Sequence, residues 1–221
     1  MIFPRKITSE LAEETGWHIG DGSMNYYKNQ GKLKGLYQLR GHIEDDKAHY
    51  LLRIKPIFEK LYNIKVNLRR MPSTRVFGFQ IWNYRLVNFK KKLKLLLGKK
   101  FDISIPKVFL KNRKFKKAII RGILDTDGGI YLEKKNNKLY PKLWITTISF
   151  KLSEQLLKIF NRFGFRATSH SQLYNKEFNR KRAYFITIRG VKMFHKFMKE
   201  INLQNQKHII KYQKFLNSQN L

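Results

Sequence analysis

The sequence predicts an α+β fold made of two copies of one unit, and three internal echoes carry that prediction. Gly16-Trp17-His18-Ile19-Gly20-Asp21-Gly22 is matched by Gly122-Ile123-Leu124-Asp125-Thr126-Asp127-Gly128, each opening on a glycine six residues before a closing Asp-Gly glycine. Phe77-x-Phe79-x-Ile81-x-Asn83-x-Arg85-Leu86-Val87 returns without gaps, 107 residues on, as Tyr184-x-Ile186-x-Ile188-x-Gly190-x-Lys192-Met193-Phe194. Ile57-Phe58-Glu59-Lys60-Leu61 returns as Ile159-Phe160-Asn161-Arg162-Phe163 at an offset of 102. Asp21 and Asp127 lie 106 residues apart, so small loop insertions reconcile the three offsets. Two copies at so long a period fit a pseudo-two-fold pair better than an open solenoid.

Each copy reads α-β-β-α-β-β-α. In the first, a helix is predicted over 8–20 and strands over 23–30 and 35–42, joined through Gly31 to Gly35. A helix over 45–62 starts at Glu44-Asp45-Asp46, acids that suit a helix N-terminus. Strands near 64–70 and 75–82 lead to a helix from Tyr84 to Leu97, stopped by Gly98. The second copy gives a helix over 115–126, strands near 129–135 and 141–148, and a helix over 152–163. Strands near 165–174 and 181–189, a helix over 190–201 and a short helix within 204–218 complete it.

Composition narrows the function. The 221 residues, 42% apolar, are enough to bury a core, and the absence of cysteine excludes disulfides, thiolate catalysis and cysteine-ligated zinc. No segment approaches the roughly 18 apolar residues of a membrane span, and the N-terminus does not read as a secretory signal, so an intracellular protein without a membrane partner is expected, cytoplasmic or organellar. The 47 Lys and Arg against 15 Asp and Glu give a net charge of +32. So much self-repulsion points to a polyanionic partner, with nucleic acid the strongest candidate.

The repeated acids point to a cation. A carboxylate at a helix C-terminus meets the negative end of the helix dipole, which favours cations by a few tenths to about 1 kcal/mol. A lone Asp-Gly would be read as a turn. The same unfavourable placement at both Asp21 and Asp127 suggests a bound divalent metal. In the strand over 35–42, Tyr37 and Leu39 alternate with Gln38, Arg40 and His42, which places the polar set on one face. Gln80, Thr187 and Arg189 extend that pattern, suited to base edges and phosphates.

These residues resemble the paired signature of the LAGLIDADG homing endonucleases in their single-chain, two-motif form, over nearly the whole chain. The resemblance implies a pseudo-two-fold tandem of half-domains: residues 1–98, a basic linker at 99–114, and 115–221 with a C-terminal extension. It implies that the signature helices pack through Gly16, Gly20 and Gly122, with Thr126 matching Gly20. Asp21 and Asp127 would be the catalytic acids and metal ligands, with Gly20 and Thr126 beside them in the metal site. The implied cofactor is Mg²⁺, with Mn²⁺ substituting and Ca²⁺ supporting binding without cleavage. The implied activity is a staggered double-strand break in a long DNA target by a monomer whose sheets saddle the major groove. The first motif departs from the pattern at Trp17, His18 and Ile19. Asp125 reads as a helix-end or interface residue rather than a ligand. The position after the second strand, often Gln or Lys in this family, falls at His42 and near Thr147; neither matches well, and His42 stands as the candidate. An intron RNA maturase and a catalytically idle DNA-binding protein on the same scaffold are the alternatives. The intact acids argue against each.

Overall fold

The computed structural model describes residues 1–136, 138–173 and 182–219. Helix α1 (Ser9–Gly20) starts where the Thr8 hydroxyl accepts a hydrogen bond from the Leu11 N–H, an N-cap that satisfies one free donor of the first turn. Everything from Leu11 to Gly20 is buried, Glu13, Glu14, Thr15 and His18 included. A helix covered on all sides is a central element rather than a surface one. Its repeat counterpart α5 (Arg113–Asp127), capped by Asn112, lies along it and shares that burial from Ala118 to Thr126 apart from Arg121.

Each central helix leads directly into a four-stranded antiparallel sheet. Strands β1 (Gly22–Asn29), β2 (Lys32–His42), β3 (Arg69–Met71) and β4 (Val76–Trp82) form one, in the order β1-β2-β4-β3. Strands β5 (Gly128–Lys135), β6 (Lys138–Thr147), β7 (Ala167–Gln172) and β8 (Ala183–Arg189) form the other, in the order β5-β6-β8-β7. The registers match as well as the orders: Gln38 pairs with Gln80 in the first sheet where Trp144 pairs with Thr187 in the second. One face of each sheet is apolar, as alternation predicts. Tyr37, Leu39, Phe77 and Phe79 from the first and Leu143, Ile145, Ile186 and Ile188 from the second join one core with Trp17, Ile19, Ile119 and Ile123.

Flanking helices close these apolar faces. Helix α2 (Lys47–His49) runs through a π-helical turn, Tyr50–Ile54, into α3 (Lys55–Tyr62), and α4 (Tyr84–Lys92) follows β4. In the second copy α6 (Phe150–Arg162) and α7 (Val191–Ile201) take these places, and α8 (Gln206–Asn217) follows. A buried ion pair ties α4 to α1: Glu14 accepts from the Lys90 ammonium and from the hydroxyls of Tyr37 and Tyr62, both at 3.1 Å. No described helix is long and apolar enough to cross a membrane.

Several boundaries differ from those the sequence predicts. The helix from Tyr84 ends at Lys92, not Leu97, because Lys94 turns left-handed (φ 67°) and Leu95 drops into the core. Gly98 is therefore not its stop. The strand expected at 64–70 shrinks to Arg69–Met71, since the N–H groups of Ile64 and Val66 are taken by the Glu59 carbonyl and carboxylate. The helix expected from residue 45 begins at Lys47, and Asp46 makes no capping bond with its side chain. Gly35 lies inside β2, so the first hairpin is turned by Gln30 and Gly31, both left-handed at φ 48° and 70°. The predicted strand ends at 174 and 181 lie outside the described residues, as does the end of the second copy beyond 219.

Candidate functional site

The site grows out of the seam between α1 and α5. Their backbones touch because glycines stand where they cross: a Cβ on Gly16 would lie 2.9 Å from the Gly122 Cα, and one on Gly122 3.0 Å from the Gly16 Cα. One turn on, a Cβ at Gly20 would lie 2.8 Å from that of Thr126, so this level holds one small residue and one glycine, as the matched motifs imply. The seam ends at Asp21, the C-cap of α1, and Asp127, the last residue of α5.

Asp21 is half-buried and Asp127 exposed at its edge, yet both carboxyls hold their protons more tightly than free ones. Burial raises the Asp21 pKa to about 8, with the charges of Asp127 and Asp46 adding to the shift and the 3.0 Å hydrogen bond from the Tyr50 hydroxyl opposing it. Burial raises Asp127 too, against the attraction of Lys100 and Lys207. Among the described residues nothing donates a hydrogen bond to the Asp127 carboxylate. Acids gathered so that like charges raise their pKa values, Asp127 and Asp46 acting on Asp21 and Asp46 on Asp127, are short of positive charge, the deficit a divalent cation fills. No three His, Asp or Glu side chains among the described residues converge as a metal cluster. An ion held by Asp21 and Asp127 would thus take its remaining ligands from phosphate and water, as Mg²⁺ commonly does.

Two lysines flank the acids. The Lys100 ammonium donates to the carbonyls of Ile19, at 2.9 Å, and Gly20. The Lys207 ammonium donates to the Thr126 carbonyl at 3.3 Å and to Asp46 at 2.8 Å. The main-chain oxygens of Gly20 and Thr126, residues expected in the metal site, therefore face lysines. Asp46 also accepts from the His42 N–H at 2.8 Å and the Asn205 side chain at 2.7 Å.

The other predicted residues fall into three groups. Gln38, Arg40 and Gln80 come together on the outer face of the first sheet, where the Gln80 side-chain oxygen accepts from Arg40 at 2.8 Å and Gln38 at 3.3 Å. Arg189 is exposed on the second sheet beside Lys142, one row further out than that cluster, where the first sheet has Trp82. Thr187 shares that outer face yet is only 4% exposed, and its hydroxyl sits 3.0 Å from that of Thr168, so it is a packing residue and not a DNA contact. His42 is engaged locally: its Nδ1 accepts from the Asp45 N–H at 3.3 Å and lies as close to the Asp45 carboxylate. Thr147 accepts from the Ser149 N–H. Asp125 is fully buried, its oxygens accepting the N–H groups of Gln204 and Asn205 at 3.0–3.1 Å.

Sequence reasoning missed Lys100, Lys207, Asp46 and Tyr50. The two lysines carried a signal, for they stand 107 residues apart, the offset of the strand repeat. Asp46 and Tyr50 carried none: residues four apart at a helix start look like ordinary surface and core.

Two matched α+β units, meeting at a glycine seam that ends in paired carboxylates, define the fold class of the two-motif LAGLIDADG proteins. Residues 114–202 match the LAGLIDADG-like domain family, and the whole chain takes the fold of single-chain LAGLIDADG homing endonucleases. I-DmoI solved with DNA and Ca has 18% identity and a TM-score of 0.65, over 92% of this chain and 97% of that one. I-AabMI bound to uncleaved DNA has 15% identity and a TM-score of 0.60, over 97% and 91%. The chain is also 34% identical over 96 residues to the ATP-dependent DNA helicase Hel308 of Methanocaldococcus jannaschii, a match spanning 40% of this chain but 8% of that protein.

Proposed function

We propose that this chain is a divalent-metal-dependent, site-specific DNA endonuclease that acts as a monomer and makes a staggered double-strand break. The observation that carries this reading is the pair Asp21 and Asp127, set together at the end of the α1–α5 seam where each central helix enters its sheet. An idle DNA-binding protein or an RNA maturase would have no use for two matched acids at the ends of both central helices.

The residues divide the work as follows. Mg²⁺ or Mn²⁺, held by Asp21 and Asp127, would supply Lewis-acid polarisation of a scissile phosphate and a lower pKa for its attacking water. Tyr50 fixes the Asp21 carboxyl by donating its hydroxyl proton. Lys100 and Lys207 set one positive charge at each helix end, where phosphate charge would build up during cleavage. The Gln38, Arg40 and Gln80 cluster offers donors and acceptors to base edges, and the surrounding lysines meet backbone phosphates. One unit on each side of the seam matches one half of a duplex site.

The test is a selection in which the purified chain is offered a randomised duplex library and cleaved molecules are sequenced. The expected result is one recurring long site, cut on both strands with Mg²⁺ or Mn²⁺ and bound but uncut with Ca²⁺, whose looser coordination orients the reaction poorly. Equal cutting in excess EDTA would overturn the reading.

A further inference from the structure

The two sheets share one topology but carry opposite chemistry along their outer faces. In the first sheet, the row next out from Arg40, which lies beside Asp21, is Ser23, Gln38 and Gln80. The next row outward is Asn25, Leu36 and Trp82, with Tyr27 beyond it. Leu36 is buried yet stands apart from the core cluster, because what covers it lies on the outer face. The exposed rings of Tyr27 and Trp82 meet edge to face at 5.8 Å and, with Leu33, border a groove of about 610 Å³ flanked by Lys28 and Lys34.

The second sheet reverses the order. Its counterpart of the Gln38 row is Gly129, Trp144 and Thr187, and its next row outward is Tyr131, Lys142 and Arg189. Trp144 covers its neighbour because that neighbour has no side chain: a Cβ on Gly129 would stand 2.5 Å from the indole. Thus an apolar surface occupies the outer row of one unit and the inner row of the other. The matching rows hold the Gln38–Gln80 pair and the Lys142–Arg189 pair.

Resting on the endonuclease reading above, we propose that these two surfaces determine sequence specificity by recognising thymine methyl groups at unequal distances from the centre of the site. In the major groove the C5-methyl of thymine is the one apolar feature of the base edges, and an apolar side chain is its complement. The occupant follows from position: both surfaces continue the polar faces that flank the acids, and lysines beside the first groove supply charge for phosphates. Rows on a strand are about 6.7 Å apart, or roughly two base pairs of rise. The methyl read by Leu36 and Trp82 therefore lies roughly two base pairs further from the centre than the methyl read by Trp144 in the other half. A target with this pattern cannot be palindromic.

The experiment uses the full chain, the randomised duplex selection and variants at the exposed rings. The expected site has a thymine at an outer position of one half and at an inner position of the other. Replacing either thymine by deoxyuridine, which removes only the methyl, should weaken binding about threefold to fivefold. Trp82→Ala should abolish the first sensitivity and leave the second, and Trp144→Ala should do the converse. Trp82→Leu, which keeps an apolar surface, should retain part of the first and guards against a folding artefact. A selected site indifferent to deoxyuridine at every thymine, or sensitivities untouched by both variants, overturns this proposal and leaves the endonuclease reading standing. Selection of no duplex at all overturns both.

Discussion

Lys100 and Lys207 are repeat partners: 107 residues apart in the chain, they place their ammonium groups on the matching carbonyls of Gly20 and Thr126. One arrives from the connector after α4 and the other from the first turn of α8, so two unrelated-looking segments serve equivalent ends of the central helices. Each charge lies beside an acid it stabilises, as the opposing effects of Lys100 and Lys207 on Asp127 indicate.

If these lysines stabilise charge on the phosphate during cleavage, Lys100→Met and Lys207→Met should each slow cutting about a hundredfold. Affinity should fall far less, since each removes one charge from a net +32. Single-turnover rates at saturating protein, alongside binding in EDTA, separate the two effects. Equal losses in rate and affinity would assign the lysines to binding alone.

The seam tolerates no added bulk. Gly122→Leu must push α1 and α5 apart at their closest approach, where overpacking costs about 1–3 kcal/mol and backbone contact raises that further. The expected result is a strongly lowered Tm or loss of soluble protein, read by thermal denaturation. Gly98→Ala, at an open left-handed position with nothing near it, should cost much less.

The buried ionisable groups set a pH optimum for the metal-free fold. Asp21 and Asp125 have pKa values raised by burial to about 8 and about 7, so they bind protons more tightly folded than unfolded. Their contribution is greatest at low pH and is lost as pH rises from about 4 to about 8. Burial lowers His49 and His208 to about 3 and His18 well below its usual value, so theirs is present above about 6.5 and lost as pH falls toward 3. Tm in EDTA should therefore peak near neutrality, fall toward pH 8.5 and fall again below pH 6. Mg²⁺ should flatten the alkaline side by compensating the carboxylates. A Tm that climbs steadily from pH 6 to 9 in EDTA would contradict this balance.

The charge predicts salt dependence. If the sheets and connector track phosphates, log affinity should fall with log salt at a slope on the order of −5 to −10, measured by titration of labelled duplex. A slope shallower than about −2 would mean that most of the charge serves something else.

What the sequence revealed was whatever the repeat wrote twice. The glycine-rich motifs, the alternating strands of β2, β4, β6 and β8, and the paired acids all appear in both copies, and the fold followed from them. What appears once was hidden. Asp46 reads as a helix-capping acid, yet its carboxylate is drawn to Asn205 and Lys207 from the far end of the chain. Lys90 reads as one member of a surface lysine run, yet it turns inward to Glu14 with α4 ending just beyond it. Thr187 sits on the outer face, as alternation requires, but Thr168 takes its hydroxyl on the neighbouring strand. Contacts between residues so distant in sequence leave no local period to read.

The most direct test of the central claim compares Asp21→Asn and Asp127→Asn with the unaltered protein on its selected site. Each change keeps side-chain size and removes one anionic ligand, so each should abolish double-strand cleavage in Mg²⁺. Binding in EDTA should persist or tighten, because a negative charge beside the phosphates has gone. Asp125→Asn, which weakens the acceptor for Gln204 and Asn205, should lower Tm while folded molecules still cut. Cleavage at the unaltered rate by either Asp21→Asn or Asp127→Asn would contradict the account.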